Sequence, residues 1–170
     1  MTTCDQCGFV YEQLEADSIG ERLRAAPKTY RQAFAQVATE RARKRPSPEV
    51  WSALEYLCHV RDVLLIQRDR AVLACVEERP SFSRMYRDER VWLCRYNDEE
   101  VGRALDQLAM AAELAAGVFG GFDQATWARR LIYNWPEPAE FDLAWLARHT
   151  VHEVVHHLQD VGSVLDGDAT

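Results

Sequence analysis

A histidine-rich segment at residues 148–161 is the feature that most constrains the fold of this 170-residue chain. Four of the five histidines fall within nine residues, and the segment contains neither Gly nor Pro. It is predicted to be a helix, in which residues four apart lie one above the other on one face. Two such pairs are present, His152 with His156 and Glu153 with His157. Either the helix is a polar surface helix, or each pair offers two ligands to a metal ion.

The apolar stripe of this helix predicts which pair faces the core, because an amphipathic helix buries that stripe. The mostly apolar line consists of Leu143, Ala147, Thr150, Val154, His157, Val161 and Val164. We therefore expect His157 and its neighbour Glu153 to face inward. The polar line runs through His149, His152 and His156, which we expect to face outward. The two pairs are offset by only about 100° around the axis, so His152 and His156 remain an alternative ligand pair.

The fifth histidine, His59, is predicted to lie on another helix. Ser52 and Glu55 have the spacing of a capping box, which predicts that a helix begins there. At helical spacing His59 shares a line with apolar side chains, namely Tyr56, Val63, Ile66 and Leu73. A single histidine on such a face is most often a core residue. It becomes a candidate ligand if a second helix presents ligands to the same interior.

These residues resemble a known family pattern. The matching elements are Trp51, Ser52, Glu55 and His59, followed by Glu153, His157 and Asp160. The pattern is similar to that of the DinB superfamily, which includes thiol-dependent transferases. The resemblance implies a four-helix bundle that holds a divalent metal ion with His59, Glu153 and His157, the His/Glu/His version found in mycothiol-dependent maleylpyruvate isomerases. The commoner version has a histidine in place of Glu153, which leaves the metal and the choice of pair open.

The net charge and the distribution of apolar residues argue against some classes of binding partner. A net charge of −7 argues against sequence-independent nucleic-acid binding, which needs a cationic face. No apolar run approaches the roughly 20 residues that span a membrane, and no signal peptide precedes Cys4. We therefore expect a cytoplasmic protein without a nucleic-acid or membrane partner.

We expect two parts, an N-terminal Cys-x-x-Cys segment at residues 1–15 and an all-α, DinB-like four-helix bundle at residues 16–170, with its site between helices. The expected helices cover about 16–43, with a break or kink at Pro27, then about 50–78, Asn97 to Gly120, and about 141–165. Long crossover connections are expected around 79–97 and 121–140.

Residues 82–96 are rich in aromatic and Arg side chains. They are either a lid that grips an anionic substrate or thiol cofactor, or a crossing loop with solvated charges.

The cysteines divide into two kinds. Cys4 and Cys7, followed by Gly8, resemble one half of a zinc knuckle, but a structural zinc needs four ligands. His152 and His156 could supply the other two; otherwise the N-terminal segment is flexible and without a ligand. Cys75 and Cys94 are expected to be buried free thiols, and Cys58 is expected to point away from the adjacent His59.

The predicted function is that of a divalent-metal protein, with one open metal position if only three protein ligands bind. Zinc, nickel, iron or manganese suits two imidazoles and a carboxylate, and zinc or nickel is preferred. The resemblance implies a transferase or isomerase that uses mycothiol or a similar thiol. The alternatives are a metal-dependent hydrolase and a non-catalytic metal-binding stress-response bundle.

The expected partner is a small-molecule substrate, and a homodimer is an open alternative to a monomer. Asp160 and Asp62 are candidates to orient the ligands, or form exposed salt bridges.

Overall fold

The computed structural model describes residues 3–167, most of which are helical. The α-helices are α1 (Ile19–Phe34), α2 (Thr39–Arg43), α3 (Ala53–Val76), α4 (Arg87–Leu93), α5 (Val101–Phe119), α6 (Gln124–Trp127) and α7 (Leu143–Asp166). The strands are β1 (Ser81–Phe82), β2 (Arg130–Asn134) and β3 (Pro138–Asp142). Within this range no helix combines the length and the apolar character needed to cross a membrane.

Four long helices form a bundle, which confirms the predicted fold class. Helix α3 packs against α5 and α7, and α1 packs against the same two helices. Helices α1 and α3 therefore lie on one diagonal, and α5 and α7 on the other. The interior is filled largely by apolar side chains, including Tyr30, Leu54, Leu64, Leu108, Leu143 and Leu146. This arrangement places α3 and α7, which carry the predicted ligands, in direct contact.

The start of α3 follows the local sequence. The Ser52 side chain accepts a hydrogen bond from the Glu55 amide, and the Glu55 carboxylate accepts one from the Ser52 amide. These two bonds satisfy amide groups that have no partner inside the helix. The predicted capping box is therefore confirmed, and it fixes the register of the helix that carries His59.

The predicted first helix differs from the observed one at both ends. Helix α1 covers Ile19–Phe34 and continues through Pro27, so the expected break is wrong and the alternative, a kink, stays a prediction. A proline ring removes one backbone hydrogen bond, but Leu23, Tyr30 and Phe34 are buried on the same helix, and their burial stabilises it. Residues 16–18 form a separate 3-10 turn, and α2 forms a separate helix.

Helix α5 also begins later than predicted. Its cap is Glu100, whose carboxylate accepts hydrogen bonds from the amides of Gly102 and Arg103 at 2.9 and 2.7 Å. Asn97 does not cap this helix. It accepts a hydrogen bond from the Ser52 hydroxyl at 2.8 Å and donates one to the Arg43 carbonyl oxygen at 2.9 Å. The predicted end at Gly120 is confirmed.

The two long connections meet in a small sheet that was not predicted. Strand β1 pairs in parallel with β2, and β2 pairs antiparallel with β3. Asn134 donates a hydrogen bond to the Phe82 carbonyl oxygen at 2.9 Å. The buried Arg70 of α3 donates one to the Tyr133 hydroxyl at 3.0 Å. The sheet therefore joins both connections to α3.

The N-terminal segment lies along α7. Arg148 donates a hydrogen bond to the Leu14 carbonyl oxygen at 2.8 Å, and Gln159 donates one to the Cys7 carbonyl oxygen at 3.5 Å. The expected division of the chain into an N-terminal segment at residues 1–15 and a bundle at residues 16–170 stays a prediction. Residues 1–2 and 168–170, which the two expected parts include, lie outside the described residues.

Candidate metal centre

His59 is a buried histidine with a free ring nitrogen. It lies on α3 and is only 2% exposed, and its Nδ1 has no hydrogen-bond partner among the described residues. The ring packs edge-on against the rings of Trp51 and His157, with centroids 5.0 and 4.8 Å away. Burial and the nearby His157 lower the pKa of His59 to about 3. The ring is therefore neutral near pH 7 and keeps a lone pair that can bind a metal ion.

Glu153 and His157 lie one turn apart on α7, beside His59. His157 Nε2 is 3.5 Å from a Glu153 carboxylate oxygen, and His157 Nδ1 is 2.7 Å from Asp160. Burial alone would lower the pKa of His157, but hydrogen bonds with Asp160 and Glu153 raise it to about 9. Burial likewise opposes the charge on Glu153, yet the nearby His152 and His157 rings hold its pKa well below the usual value. Glu153 is therefore a carboxylate at neutral pH.

The three side chains form a group of the right size for one ion. Ligand atoms of His59, Glu153 and His157 all lie within 4.8 Å of one another. Two ligand atoms that each lie about 2.1 Å from one ion can be at most about 4.2 Å apart. The observed limit of 4.8 Å is slightly larger, so small side-chain rotations would bring all three atoms within bonding distance of an ion. Asp160 accepts the hydrogen bond that fixes the orientation of His157, as carboxylates commonly do beside metal-bound histidines.

Asp62 and Cys58 lie near His59 in sequence but contact other residues. The Asp62 carboxylate accepts a hydrogen bond from the Tyr96 hydroxyl at 2.6 Å and forms an ion pair with Arg61 at 2.8 Å. The Cys58 thiol donates to the Tyr96 carbonyl oxygen at 3.8 Å, which confirms that it points away from His59. Asp62 therefore does not orient the histidine ring.

The expectation that His149, His152 and His156 face outward is wrong. His152 is buried, and the other two are mostly covered. The rings of Phe9 and Tyr11 pack against His152 with centroids 5.4 Å away, and the Tyr11 hydroxyl lies 2.9 Å from His149 Nδ1. The polar line of α7 is thus covered by a distant part of the chain, which helical periodicity cannot reveal.

Cys4 and Cys7 lie against this same face. Cys4 Sγ is 3.7 Å from His156 Nδ1, and ligand atoms of Cys4, Cys7, His152 and His156 all lie within 4.8 Å of one another. Burial would raise the pKa of the Cys4 thiol, but the nearby Cys7 backbone and His152 ring favour the thiolate and lower the pKa to about 6. Burial raises the pKa of Cys7.

The two histidine pairs thus belong to different groups. The pair Glu153 and His157 joins His59, and the pair His152 and His156 joins the cysteines. Two overlapping groups are also compact enough for an ion, and they consist of His149, His152 and Glu153, and of His156, His157 and Asp160. The other cysteines stand apart from these groups. Cys94 is exposed and Cys75 is half-buried, so the expectation that both are buried is wrong.

A cavity of about 560 Å³ opens beside both groups. Its lining includes His59, Glu153, His157, Cys4, His152 and His156. Residues 84–89, from the segment considered as a lid, also line it, and they include Arg84 and Arg87. The Arg87 guanidinium lies 5.9 Å from the Trp51 ring centre. Both arginines are about half exposed, and they lie 3.9 Å from the carboxylates of Glu89 and Asp88, respectively.

Several aromatic residues of the cavity wall were not identified from the sequence. Trp145 stacks on His149 and on Phe141, with ring centroids 4.8 and 3.7 Å away. Trp145 lies four residues before His149, so extending the polar line by one turn would have found an aromatic residue there. Tyr11 and Tyr133 gave no such signal, because tertiary contacts alone bring them to the wall.

Comparisons with known proteins identify the family and the fold of this chain. A family model for the DinB superfamily matches residues 22–161. Among solved structures, YfiT from Bacillus subtilis, described as "a probable metal-dependent hydrolase with an unusual four-helix bundle topology", is similar with a TM-score of 0.81 and 14% identity, over 96% of this chain and 91% of that chain.

A second solved structure, a mycothiol-dependent maleylpyruvate isomerase, is similar with a TM-score of 0.71 and 13% identity, over 95% of this chain and 64% of that chain. A search of curated proteins gave no significant match. At these identities the structural likeness shows a shared fold alone.

Proposed function

Because the chain belongs to the DinB superfamily, we propose that it is an enzyme that depends on a divalent metal ion held by His59, Glu153 and His157. The observation that carries this proposal is the His59 ring, buried and with Nδ1 unpartnered among the described residues. A buried polar atom without a partner costs free energy. An ion between α3 and α7 would satisfy it and would be bound by Glu153 and His157 as well.

The donor set suits catalysis better than a closed structural site. Three protein ligands leave a position for an exogenous ligand, as in catalytic zinc sites. All three side chains line the cavity, so that position is accessible to a small molecule. Imidazole ligands suit zinc, nickel and iron, and zinc or nickel is our preferred assignment.

The bound ion would supply a Lewis-acidic position that lowers the pKa of a bound thiol or water molecule. The remaining tasks fall to side chains of this chain. Asp160 accepts a hydrogen bond from His157 Nδ1–H and so leaves Nε2 for the ion. Arg84 and Arg87, at the cavity, would attract an anionic group of the substrate or cofactor.

We propose a thiol-dependent transferase or isomerase as the reaction class, with mycothiol or a similar thiol as cofactor. Support comes from the His/Glu/His donor set, and from a fold shared with a mycothiol-dependent maleylpyruvate isomerase. The cavity lies within the range of small-molecule sites, roughly 300–1,000 Å³. A metal-dependent hydrolase is the second candidate, because YfiT, described in those terms, shares the fold over 91% of its length.

Metal content tests the ligand assignment. The variants His59→Ala, Glu153→Ala and His157→Ala should each lose about one ion per chain relative to the wild type, because two remaining ligands bind weakly. His149→Ala is the matched control on the same helix and should keep the wild-type content. Elemental analysis of the purified proteins gives the comparison. Full retention of metal in His157→Ala would contradict the assignment and favour His152 and His156.

Turnover separates the reaction classes. The metal-loaded protein is mixed with monochlorobimane, an electrophile that becomes fluorescent on forming a thioether, in the presence and absence of mycothiol. A thiol transferase should give metal-dependent fluorescence only with the thiol, and His157→Ala should give none. Release of p-nitrophenol from a p-nitrophenyl ester without any thiol would favour the hydrolase. If neither reaction depends on the metal, the result would favour the third alternative, a non-catalytic metal-binding bundle.

A further inference from the structure

We propose that Cys4, Cys7, His152 and His156 form a second, closed metal site, which binds zinc and fastens the N-terminal segment to α7. This site goes beyond the proposed activity and shares no ligand with the group of His59, Glu153 and His157. It joins parts of the chain that are 152 residues apart, since Cys4 Sγ lies 3.7 Å from His156 Nδ1.

The two cysteines are held in a tight turn. The Gly8 amide donates to the Cys4 carbonyl oxygen at 2.8 Å, and the Cys4 amide donates to the Phe9 carbonyl oxygen at 2.9 Å. Gly8 has a φ of +71°, in the left-handed region that favours glycine. Thr3 and Val10 pair across the turn as an antiparallel bridge. The Cys-x-x-Cys-Gly sequence thus folds as a short hairpin that presents both thiols to α7.

The histidine side of the site is already arranged for an ion. His152 is 8% exposed, and neither of its ring nitrogens has a partner in hydrogen-bonding geometry among residues 3–167. Its Nδ1 lies 3.3 Å from Glu153, which leaves Nε2 for the ion. In His156, Nε2 lies 3.7 Å from Asp160 while Nδ1 faces Cys4. In both rings, then, a carboxylate of α7 lies near the nitrogen that does not face the ion, as is usual for metal-bound histidines.

The distances fit a tetrahedral ion. The four ligand atoms all lie within 4.8 Å of one another. Bonds of about 2.3 Å to sulfur and 2.0 Å to nitrogen place tetrahedral ligands about 3.3–3.8 Å apart, so the observed sulfur–nitrogen distance is close to ideal. Two thiolates and two imidazoles are a typical structural set for zinc, with no position left for a substrate.

The site would also shape the cavity. The hairpin continues into Tyr11, whose hydroxyl lies 2.9 Å from His149 Nδ1 and whose side chain lines the cavity. Phe9 packs against the His152 ring, 5.4 Å away. Zinc that holds the hairpin in place therefore holds one wall of the substrate cavity. This role is structural, and it is independent of the reaction that the cavity supports.

Metal stoichiometry tests the second site directly. The chain is purified without a histidine tag or added metal, and zinc is measured after titration and desalting. The wild type should retain about two ions, and the Cys4→Ser/Cys7→Ser variant about one. Cys75→Ser/Cys94→Ser, which removes two cysteines outside the site, should behave as the wild type. His156→Ala should lose the second ion and His149→Ala should not. Equal zinc content in the wild type and in Cys4→Ser/Cys7→Ser would overturn the proposal.

Cobalt substitution separates the two sites even if a variant folds poorly. Cobalt bound by thiolates gives a charge-transfer absorption in the near ultraviolet, which imidazole and carboxylate ligands do not give. The wild type and His59→Ala should both show this band with similar intensity, and Cys4→Ser/Cys7→Ser should lack it. Absence of the band in cobalt-loaded wild-type protein would refute the second site while leaving the first untouched. Conversely, a band retained in His59→Ala after the activity is lost shows that the two sites are independent.

Discussion

Asp160 and Asp62 each follow a proposed ligand by three residues, but only Asp160 contacts its histidine. A carboxylate that holds a metal-bound histidine is commonly worth about 10–100-fold in metal affinity. We therefore expect Asp160→Asn to weaken metal binding by about that factor. Asp62→Asn, the matched control, should leave the affinity unchanged, because its partners are Tyr96 and Arg61. Competition with a chromophoric chelator measures both, and equal effects of the two variants would count against the role of Asp160.

His157 also sets the pH dependence of metal binding. Burial would lower its pKa, but Asp160 and Glu153 raise it to about 9 without metal, so an ion must displace a proton near neutral pH. Between the pKa values of His157 and His59, affinity should fall by about tenfold for each pH unit of acidification. We expect the ion to be lost below about pH 5.5, well under the usual histidine pKa of about 6.5. Equilibrium dialysis at a series of pH values measures the loss, and unchanged metal content at pH 4 would contradict it.

At the scale of single elements, the cap of α3 both starts the helix and links it to its neighbours. The Ser52 hydroxyl binds the Glu55 amide and the Asn97 side chain, and the residue is buried. Loss of a serine cap costs about 0.5–2 kcal/mol, so Ser52→Ala should lower the free energy of unfolding by that amount. Ser18→Ala is the control, because the Ser18 hydroxyl donates to the Glu15 carbonyl oxygen and makes no cap bond to α1. Urea denaturation compares the two, and equal effects would exclude a special role for the cap.

The elements also show what sequence could predict. The cap of α3 at Ser52 and the end of α5 at Gly120 depend on neighbouring residues in the sequence, and both were predicted correctly. The continuation of α1 through Pro27 depends on burial against other helices, so local propensity failed there. Strand β1 has only two residues and shows no periodicity, so the sheet could not be recognised. The inward faces of α3 and α7 predicted that His59, Glu153 and His157 share one interior, and the family resemblance implied that they form one ligand set. The covering of His152 could not be predicted, because it requires the distant hairpin.

For the whole molecule, bound metal should contribute to stability, because the proposed ligands come from α3, α7 and the N-terminal segment. At a free ion concentration one hundred times Kd, binding adds about 2.7 kcal/mol. In a chain of this size each 1 kcal/mol shifts Tm by roughly 2–4 °C, so removing one ion should lower Tm by about 5–10 °C. Calorimetry before and after chelation measures the shift. A variant that combines His59→Ala with Cys4→Ser/Cys7→Ser should not respond to the chelator.

For the molecule as a whole, the choice between a homodimer and a monomer stays open. Sedimentation velocity of the metal-loaded chain, over a range of protein concentrations, distinguishes it from a monomer. The measurement is best made on the metal-loaded protein, because loss of the N-terminal contacts would change the exposed surface of α7.

The contacts between the N-terminal hairpin and α7 have a consequence for synthesis. They join residues 138 and 152 positions apart, and α7 leaves the ribosome long after Cys4 and Cys7. Until then the two thiols and His59 each lack their partners, so a nascent chain holds only fragments of either site. Metal capture is therefore a late event that marks a completed bundle. Ribosome-bound chains arrested before residue 143 should retain little zinc, and chains extended by a C-terminal linker long enough to place α7 outside the ribosome should retain it.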